Sequence, residues 1–301
     1  LINATMDRTH VDCTLAALER GYHVLLEKPM AVDSTSCFRI ARAAQATDRI
    51  LQICHTLRYT RFYETLKELL DTGRAGDLVT VQHNEHVAYC HMAHSFVRGN
   101  WSNEGRSAPM ILSKSCHDLD LLVWMIDKEP TRVCSFGSLN HFRAVNVDST
   151  IPERCTDGCP IEPECAFSAI RHYLGPNTEW PVSAISLDKS MEARREAIET
   201  GPYGRCVYRC DNDVVDHQNT LIEFEDGSTA CFTMQGHAHD GVRTMRYSGT
   251  EATIRGHNEK GEILIDTYSD GRSDRIEVNP GIGGHGGGDW RLLDRFCESV
   301  R

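Results

Sequence analysis

The first 60 residues alternate short apolar runs with helical stretches, and this alternation limits the fold more than any other feature of the chain. Residues 1–5 read as a buried strand already under way. Residues 9–20 place Val11, Leu15 and Leu18 on one helical stripe, with Gly21 as the stop. A second buried strand, 23–26, ends at Glu27-Lys28-Pro29. Asp33 is placed to cap a helix over 34–47 that turns Phe38, Ile40, Ala41 and Ala44 inward. Residues 50–55 form a third strand. Strands alternating with helices of a dozen or more residues build parallel β-α-β units.

Beyond that block the pattern changes. A helix is expected over 62–71, a long strand over 78–89 and one amphipathic helix over 110–126. Strand-like stretches follow at 131–139, 213–225, 228–236, 243–249, 252–255, 262–268 and 275–278. Turns such as Glu225-Asp226-Gly227 and Ser269-Asp270-Gly271 separate some of them, as in an antiparallel meander. The expected fold class is the C-terminal part of an α/β parallel sheet, followed by an α+β domain with a mainly antiparallel sheet. The division is 1–57 and 58–301, with a Cys-, Pro- and charge-rich insertion at about 151–210 that has a poor core of its own.

With 32 Lys+Arg against 43 Asp+Glu the chain carries a net charge of −11, and it has no basic cluster. That disfavours nucleic acid or an anionic membrane as partner. No apolar run approaches the roughly 20 residues of a membrane span. The leading residues do not read as a signal peptide. The chain opens inside a strand and closes on a helix, 289–301, without a stop signal, so both ends read as cut.

Two constellations carry chemistry. Ligands of open parallel sheets bind beyond the carboxyl ends of the strands, and there stand Ala4, Thr5, His10, Glu27, Lys28 and Pro29. Pro29 biases Lys28 toward an extended backbone. The second is Lys114-Ser115-Cys116-His117-Asp118-Leu119-Asp120, with Leu112, Leu119, Leu122 and Val123 marking the buried side of its helix and His117 and Asp120 three apart on one face. A His and carboxylates beside a packed face suit proton transfer. Each constellation alone is also compatible with an ordinary polar turn or a solvated helix surface.

Taken in order, "NATMDRTHVDCTLAALERGYHVLLEKPMAVD" and "GNW…MILSKSCHDLDLLVWM" resemble the glucose–fructose oxidoreductase/inositol dehydrogenase (Gfo/Idh/MocA) family. The resemblance covers nearly the whole chain except 151–210. It implies a Rossmann-type cofactor domain and a cytoplasmic NAD- or NADP-dependent oxidoreductase. The implied substrate is a sugar, cyclitol or related polyol. Lys28 and His117 take the catalytic positions, and Ala4, Thr5, His10, Glu27, Lys28 and Pro29 line the cofactor crevice. Arg58 and Trp101 fall where further cofactor or substrate contacts are expected, with Arg98 beside them.

Two departures from the family pattern matter. Where many members have an Asp four residues before the helix His, this chain has Ser113, so the proton relay differs or Lys114 takes a share. The family's Gly-rich phosphate loop is not in this sequence. The fragment is therefore expected to bind dinucleotide weakly or not at all. The stretch Gly283-Gly284-His285-Gly286-Gly287-Gly288-Asp289 is no substitute, but His285 and Asp289 are candidates to contact substrate. Two other readings remain open at this point. One is an enzyme of the same fold using bound NAD for transient oxidation in glycoside cleavage or isomerisation, and the other is a non-catalytic sensor. A homo-oligomer is expected, through an exposed sheet face.

The 13 cysteines are an odd number in a long chain, unlike a secreted disulfide framework. Cys13, Cys37, Cys54, Cys116, Cys134, Cys231 and Cys297 read as buried reduced thiols. Cys155, Cys159 and Cys165, with Cys206 beyond, have a spacing that suits a structural zinc. Free thiols and an iron–sulfur site are the other readings.

Overall fold

The computed structural model describes residues 1–279 and 281–301. A three-stranded parallel sheet comes first: β1 (Ile2–Asn3), β2 (Val24–Leu26) and β3 (Leu51–Ile53), in the order β1-β2-β3. Helices α1 (His10–Glu19) and α2 (Ser34–Thr47) make the crossovers. The Asp33 side chain accepts the Ser36 amide, capping α2 as its sequence requires. Gly21 takes the positive φ of 81° that ends α1. Val11, Leu18, Val24, Leu26 and Ile40 form the core of this part.

Two sequence expectations fail here. Leu1 and Ile2 are exposed, and among the described residues β1 has only β2 beside it. Phe38 is 68% exposed. The inward face of α2 is set by Ile40, with Cys37, Ala43 and Ala44 packed beside it, and Phe38 falls off that stripe.

The second part is one eight-stranded sheet. Its strands are β4 (Leu78–Ala88), β5 (Pro130–Ser138), β6 (His217–Phe224), β7 (Thr229–Ala238), β8 (Val242–Gly249), β9 (Ala252–His257), β10 (Glu262–Thr267) and β11 (Ser273–Glu277). The order is β11-β10-β9-β8-β4-β7-β6-β5, antiparallel throughout except for the parallel pair β4–β7. Strand alternation turns Val81, Val87, Phe232, Met234, Tyr247 and Ile254 to one face. There they meet Phe62, Tyr63 and Leu66 of α3 (Arg61–Asp71) and the apolar residues of the helix that carries His117.

The expected single helix over 110–126 is two: α4 (Met110–Ser113) and α5 (Cys116–Ile126), interrupted at Lys114 and Ser115. Val123 is 40% exposed, and the buried side is Leu121, Leu122, Met125 and Ile126 together with His117 and Asp118. His117 and Asp118 thus sit on the packed face itself. The insertion holds α6 (Ala169–Tyr173) and α7 (Met191–Thr200) around a small cluster of Cys155, Ala169, Tyr173, Val182 and Ile198. The last helix, α8 (Gly288–Val300), returns to the first sheet, where Leu292 packs against Leu25 and Cys54.

Candidate active site

A cavity of about 360 Å³ opens where the carboxyl ends of β2 and β3 face the second sheet. Asn3 pairs with Leu26 across β1 and β2, so Ala4-Thr5 and Glu27-Lys28 emerge side by side. Ala4 and Thr5 are exposed, and Glu27 and Lys28 are half-buried and line the cavity. His10 is buried beneath them. Its two ring nitrogens stand 2.7 Å from the Pro29 carbonyl and 3.0 Å from the Thr5 carbonyl. Its ring therefore ties the two strand-end loops together from below. The Lys28–Pro29 peptide is cis.

The break between α4 and α5 has a chemical consequence. The last carbonyls of a helix lack intrahelical partners. The Ser113 carbonyl accepts a 2.9 Å hydrogen bond from the Lys28 ammonium. That bond joins the two predicted constellations directly, at the position where the sequence lacks the family's carboxylate. Ser113 also lines the cavity, and its Oγ is buried without a partner among the described residues.

His117 lies in the first turn of α5, 8% exposed and facing the same cavity. Its Nδ1 is buried without a hydrogen-bond partner among the described residues. Burial, then the charges of Lys28 and Arg243, hold its pKa well below the ordinary histidine value. His55 stands edge-on to it at 5.8 Å between ring centroids, and His285 lies at 6.3 Å. Burial, then Lys114, lowers the pKa of His91, on the far wall, to about 3.

Lys114 does not stand free. Its ammonium is 3.2 Å from Glu85, and Glu85 also binds Arg243 at 2.6 Å. Arg243 continues to Asp118 at 2.7 Å, and Asp118 meets His83 at 2.8 Å. Burial opposes the charge on Asp118, but Arg243 and His83 outweigh it and hold its carboxyl far below the usual range. This buried chain fixes Lys114 and Arg243 in the cavity wall and locks the start of α5. Asp120, expected beside His117, is instead gripped by Arg58 through two bonds of 2.7 Å.

Arg58 itself therefore has an internal partner and lies over the Trp124 ring. Trp101 lines the cavity, and its indole N–H donates to buried Asp7 at 3.2 Å, joining the two sheets' regions. His285 and Asp289 also line the cavity, 2.9 Å apart. A larger hollow of about 550 Å³ lies on the outer face of the second sheet, but its charged pair, Arg132 and Glu223, is bonded to itself.

Two family models match the chain: the oxidoreductase family with an NAD-binding Rossmann fold over residues 2–55, and the GFO/IDH/MocA C-terminal domain over 63–255. The chain belongs to the Gfo/Idh/MocA family.

Within that family it is 26% identical to the YteT protein of Bacillus subtilis, over 98% of this chain and 71% of that protein. It is 35% identical to inositol 2-dehydrogenase of Streptomyces avermitilis, over 41% of this chain and 33% of the other. Solved structures share the Gfo/Idh/MocA fold at low identity. A levoglucosan dehydrogenase in complex with NADH superposes with a TM-score of 0.67 at 16% identity, covering 99% of this chain and 69% of that one. An inositol dehydrogenase homologue from Azotobacter vinelandii complexed with NAD+ gives 0.66 at 15%, covering 99% and 66%.

Sequence reasoning missed His55, His91, Glu85 and Arg243. A signal for Glu85 was present. Val81, His83, Glu85 and Val87 fall on one face of a strand at period two, so two ionisable residues share an apolar face. Arg243 carries no comparable mark. As for the cysteines, all 13 are free, but of the seven read as buried thiols only Cys54 and Cys116 are buried. Cys155, Cys159, Cys165 and Cys206 surround one small void in the insertion, and no three of them are placed to hold an ion as they stand.

Proposed function

We propose that this chain carries the catalytic side of an NAD- or NADP-dependent dehydrogenase. The substrate class is a sugar, cyclitol or related polyol, oxidised at a hydroxyl-bearing carbon. The observation that supports this most is the convergence of the Lys28 ammonium and a neutral, buried His117 ring on one cavity at the carboxyl ends of parallel strands. The exposed Ala4-Thr5 edge beside Glu27-Lys28 fits a dinucleotide at that crevice, since backbone and small side chains there leave room for close approach. A bound nicotinamide supplies the hydride acceptor.

The chain's own residues do the rest. Oxidising an alcohol requires removal of the hydroxyl proton as the hydride leaves, and a neutral imidazole is suited to take it. His117 is held neutral by burial and by Lys28. Lys28, oriented by the Ser113 carbonyl, presents positive charge where an alkoxide develops. The Ser113 hydroxyl, buried without a partner, and the Lys114 ammonium in the wall suit a substrate with several hydroxyl groups. The free thiols and the exposed Phe136 and Leu221 on the outer sheet face support the further reading of a cytoplasmic homo-oligomer.

His117→Gln in the full-length protein tests the reading. It is expected to lower kcat/KM on a polyol substrate by about 10²–10⁴-fold while leaving the thermal midpoint within a few degrees. Activity within twofold of the parent would remove His117 from the mechanism.

A further inference from the structure

We propose that His55 carries the substrate's proton out of the site, from His117 to solvent. The proposal rests on the dehydrogenase reading above, in which His117 takes a hydroxyl proton.

That proton needs an exit. His117 is 8% exposed and faces the cavity that a substrate would occupy. With Nδ1 enclosed, Nε2 is the nitrogen left to meet a hydroxyl group. A buried imidazolium is disfavoured, and the next turnover requires the ring to be neutral again.

Most neighbours of His117 cannot accept the proton. Lys28, Lys114 and Arg243 line the cavity as cations. Glu85 and Asp118 are each bound to Arg243. His91, with a pKa lowered to about 3 by burial and then by Lys114, refuses a proton too.

His55 has different surroundings. Cys54 and Thr56 on either side of it line the cavity, while the His55 ring lies against α5. It stands edge-on to His117 at 5.8 Å between ring centroids, and its Nδ1 is 3.7 Å from the carboxylate of Asp120, one turn further along the helix. That Nδ1 is also buried without a hydrogen-bond partner among the described residues. The His55 side chain as a whole is 22% exposed, so the ring reaches from His117 to the surface. Substrate in the cavity leaves this side of His117 untouched.

The charges around His55 set the direction of transfer. Burial lowers its pKa, Asp120 opposes that, and Arg58 and Lys28 add to it. Burial, Lys28 and Arg243 hold His117 well below the ordinary value. Asp120 thus favours the cation on His55, the outer ring of the pair. In the step itself, His117 Nε2 accepts the hydroxyl proton as the hydride leaves. The imidazolium then gives its Nδ1 proton to the His55 ring, across one water or after a ring rotation. His55 releases a proton to solvent. Both rings end neutral, and one proton leaves for each hydride transferred. Asp120 stays bound to Arg58 throughout and acts only by its charge.

His285 is the rival exit. It lies 6.3 Å from His117 but lines the cavity itself, paired with Asp289, so it meets substrate directly.

The first turnover of the full-length protein tests the route, with myo-inositol and NAD as the first pair tried. Stopped flow follows reduced nicotinamide by absorbance and the released proton by a pH indicator. In His55→Phe, proton release is expected to slow by about tenfold or more, with KM unchanged, and to recover when imidazole is added. Parent-like proton release would overturn the proposal. So would a loss that imidazole does not relieve, or an imidazole-relieved loss in His285→Phe instead. Parent-like release in His55→Phe, with turnover lost in His117→Gln, would reject the relay alone and leave the dehydrogenase reading standing. A parent that reduces no nicotinamide rejects that reading, and histidine-ring NMR then decides the relay without turnover. His55 is expected to protonate at higher pH than His117, their signals assigned by loss in His55→Phe and His117→Gln. The reverse order would overturn the relay.

Discussion

At the scale of single residues, the site is a matter of which charges are already spoken for. Asp118, Glu85 and Asp120 are each bound to an arginine, so none is free to take a substrate proton. His117 has no such partner, and burial keeps it neutral. This fixes the sign of its pH dependence. A base must be unprotonated to act, and the folded pKa of His117 is depressed. The acid limb of kcat/KM is therefore expected below the ordinary value of about 6.5. A pH–rate profile on a saturably bound polyol checks it, and a limb at or above that value would contradict the environment described. Lys28 and His117 were legible in the sequence because their neighbours, Glu27-Pro29 and Asp118-x-Asp120, are local. The bond from Lys28 to Ser113 was not, since it spans 85 positions and depends on a helix break.

At the scale of elements, β4, β8 and α5 are held in register by buried charge. Glu85 on β4, Arg243 on β8 and Asp118 on α5 form one chain of ion pairs, with Lys114 at one end and His83 of β4 hydrogen-bonded to Asp118 at the other. Removing a single partner strands the others in a dry interior. Arg243→Met is expected to destabilise the protein by about 3–5 kcal/mol, measured by chemical denaturation. A loss below about 1 kcal/mol would mean that the network is effectively solvated. The segment over residues 89–98 makes a separate prediction. Burial, then Arg98, lowers the pKa of His94 to about 4, and His94 bonds the Tyr173 hydroxyl at 2.9 Å. Below about 6.5 the unfolded chain binds the proton that folded His94 refuses. Its contribution is therefore complete above that pH and is lost as pH falls toward 4. In His94→Phe the thermal midpoint is expected to fall less between pH 7.5 and 5 than in the parent. An unchanged pH slope would show that another group governs it.

The elements themselves were largely readable. Capping by Asp33, the stop at Gly21 and the strand alternation of the second part are local signals. The helix over 110–126 was misread as continuous because Lys114 and Ser115 are ordinary helix residues in isolation. Their departure is imposed by packing, with Ser113, Ser115 and Asp118 all buried. Arg243 was invisible for a related reason. Its partners come from two other elements, and nothing in its own strand marks it.

At the scale of the whole molecule, the two parts meet at the cavity and are tied around it. Trp101 and Ser107 bond Asp7 from the second part, and α8 packs Leu292 onto the first sheet. The opposite face of the large sheet is open. Phe136 on β5 and Leu221 on β6 share that face and are each more than half exposed. If that face is the oligomer contact, Phe136→Asp is expected to lower the mass measured by light scattering toward that of the monomer, and an unchanged assembly would place the contact elsewhere.

The central claim is that Lys28 and His117 serve hydride removal from a hydroxyl carbon. Its most direct test is the stoichiometry of product formation by the full-length protein supplied with NAD or NADP and a panel of sugars and cyclitols. One reduced nicotinamide is expected for each carbonyl formed from at least one member of the panel, with the rate falling about 100-fold or more in Lys28→Met. Undiminished turnover in Lys28→Met, or carbonyl product with no reduced nicotinamide released, would contradict it.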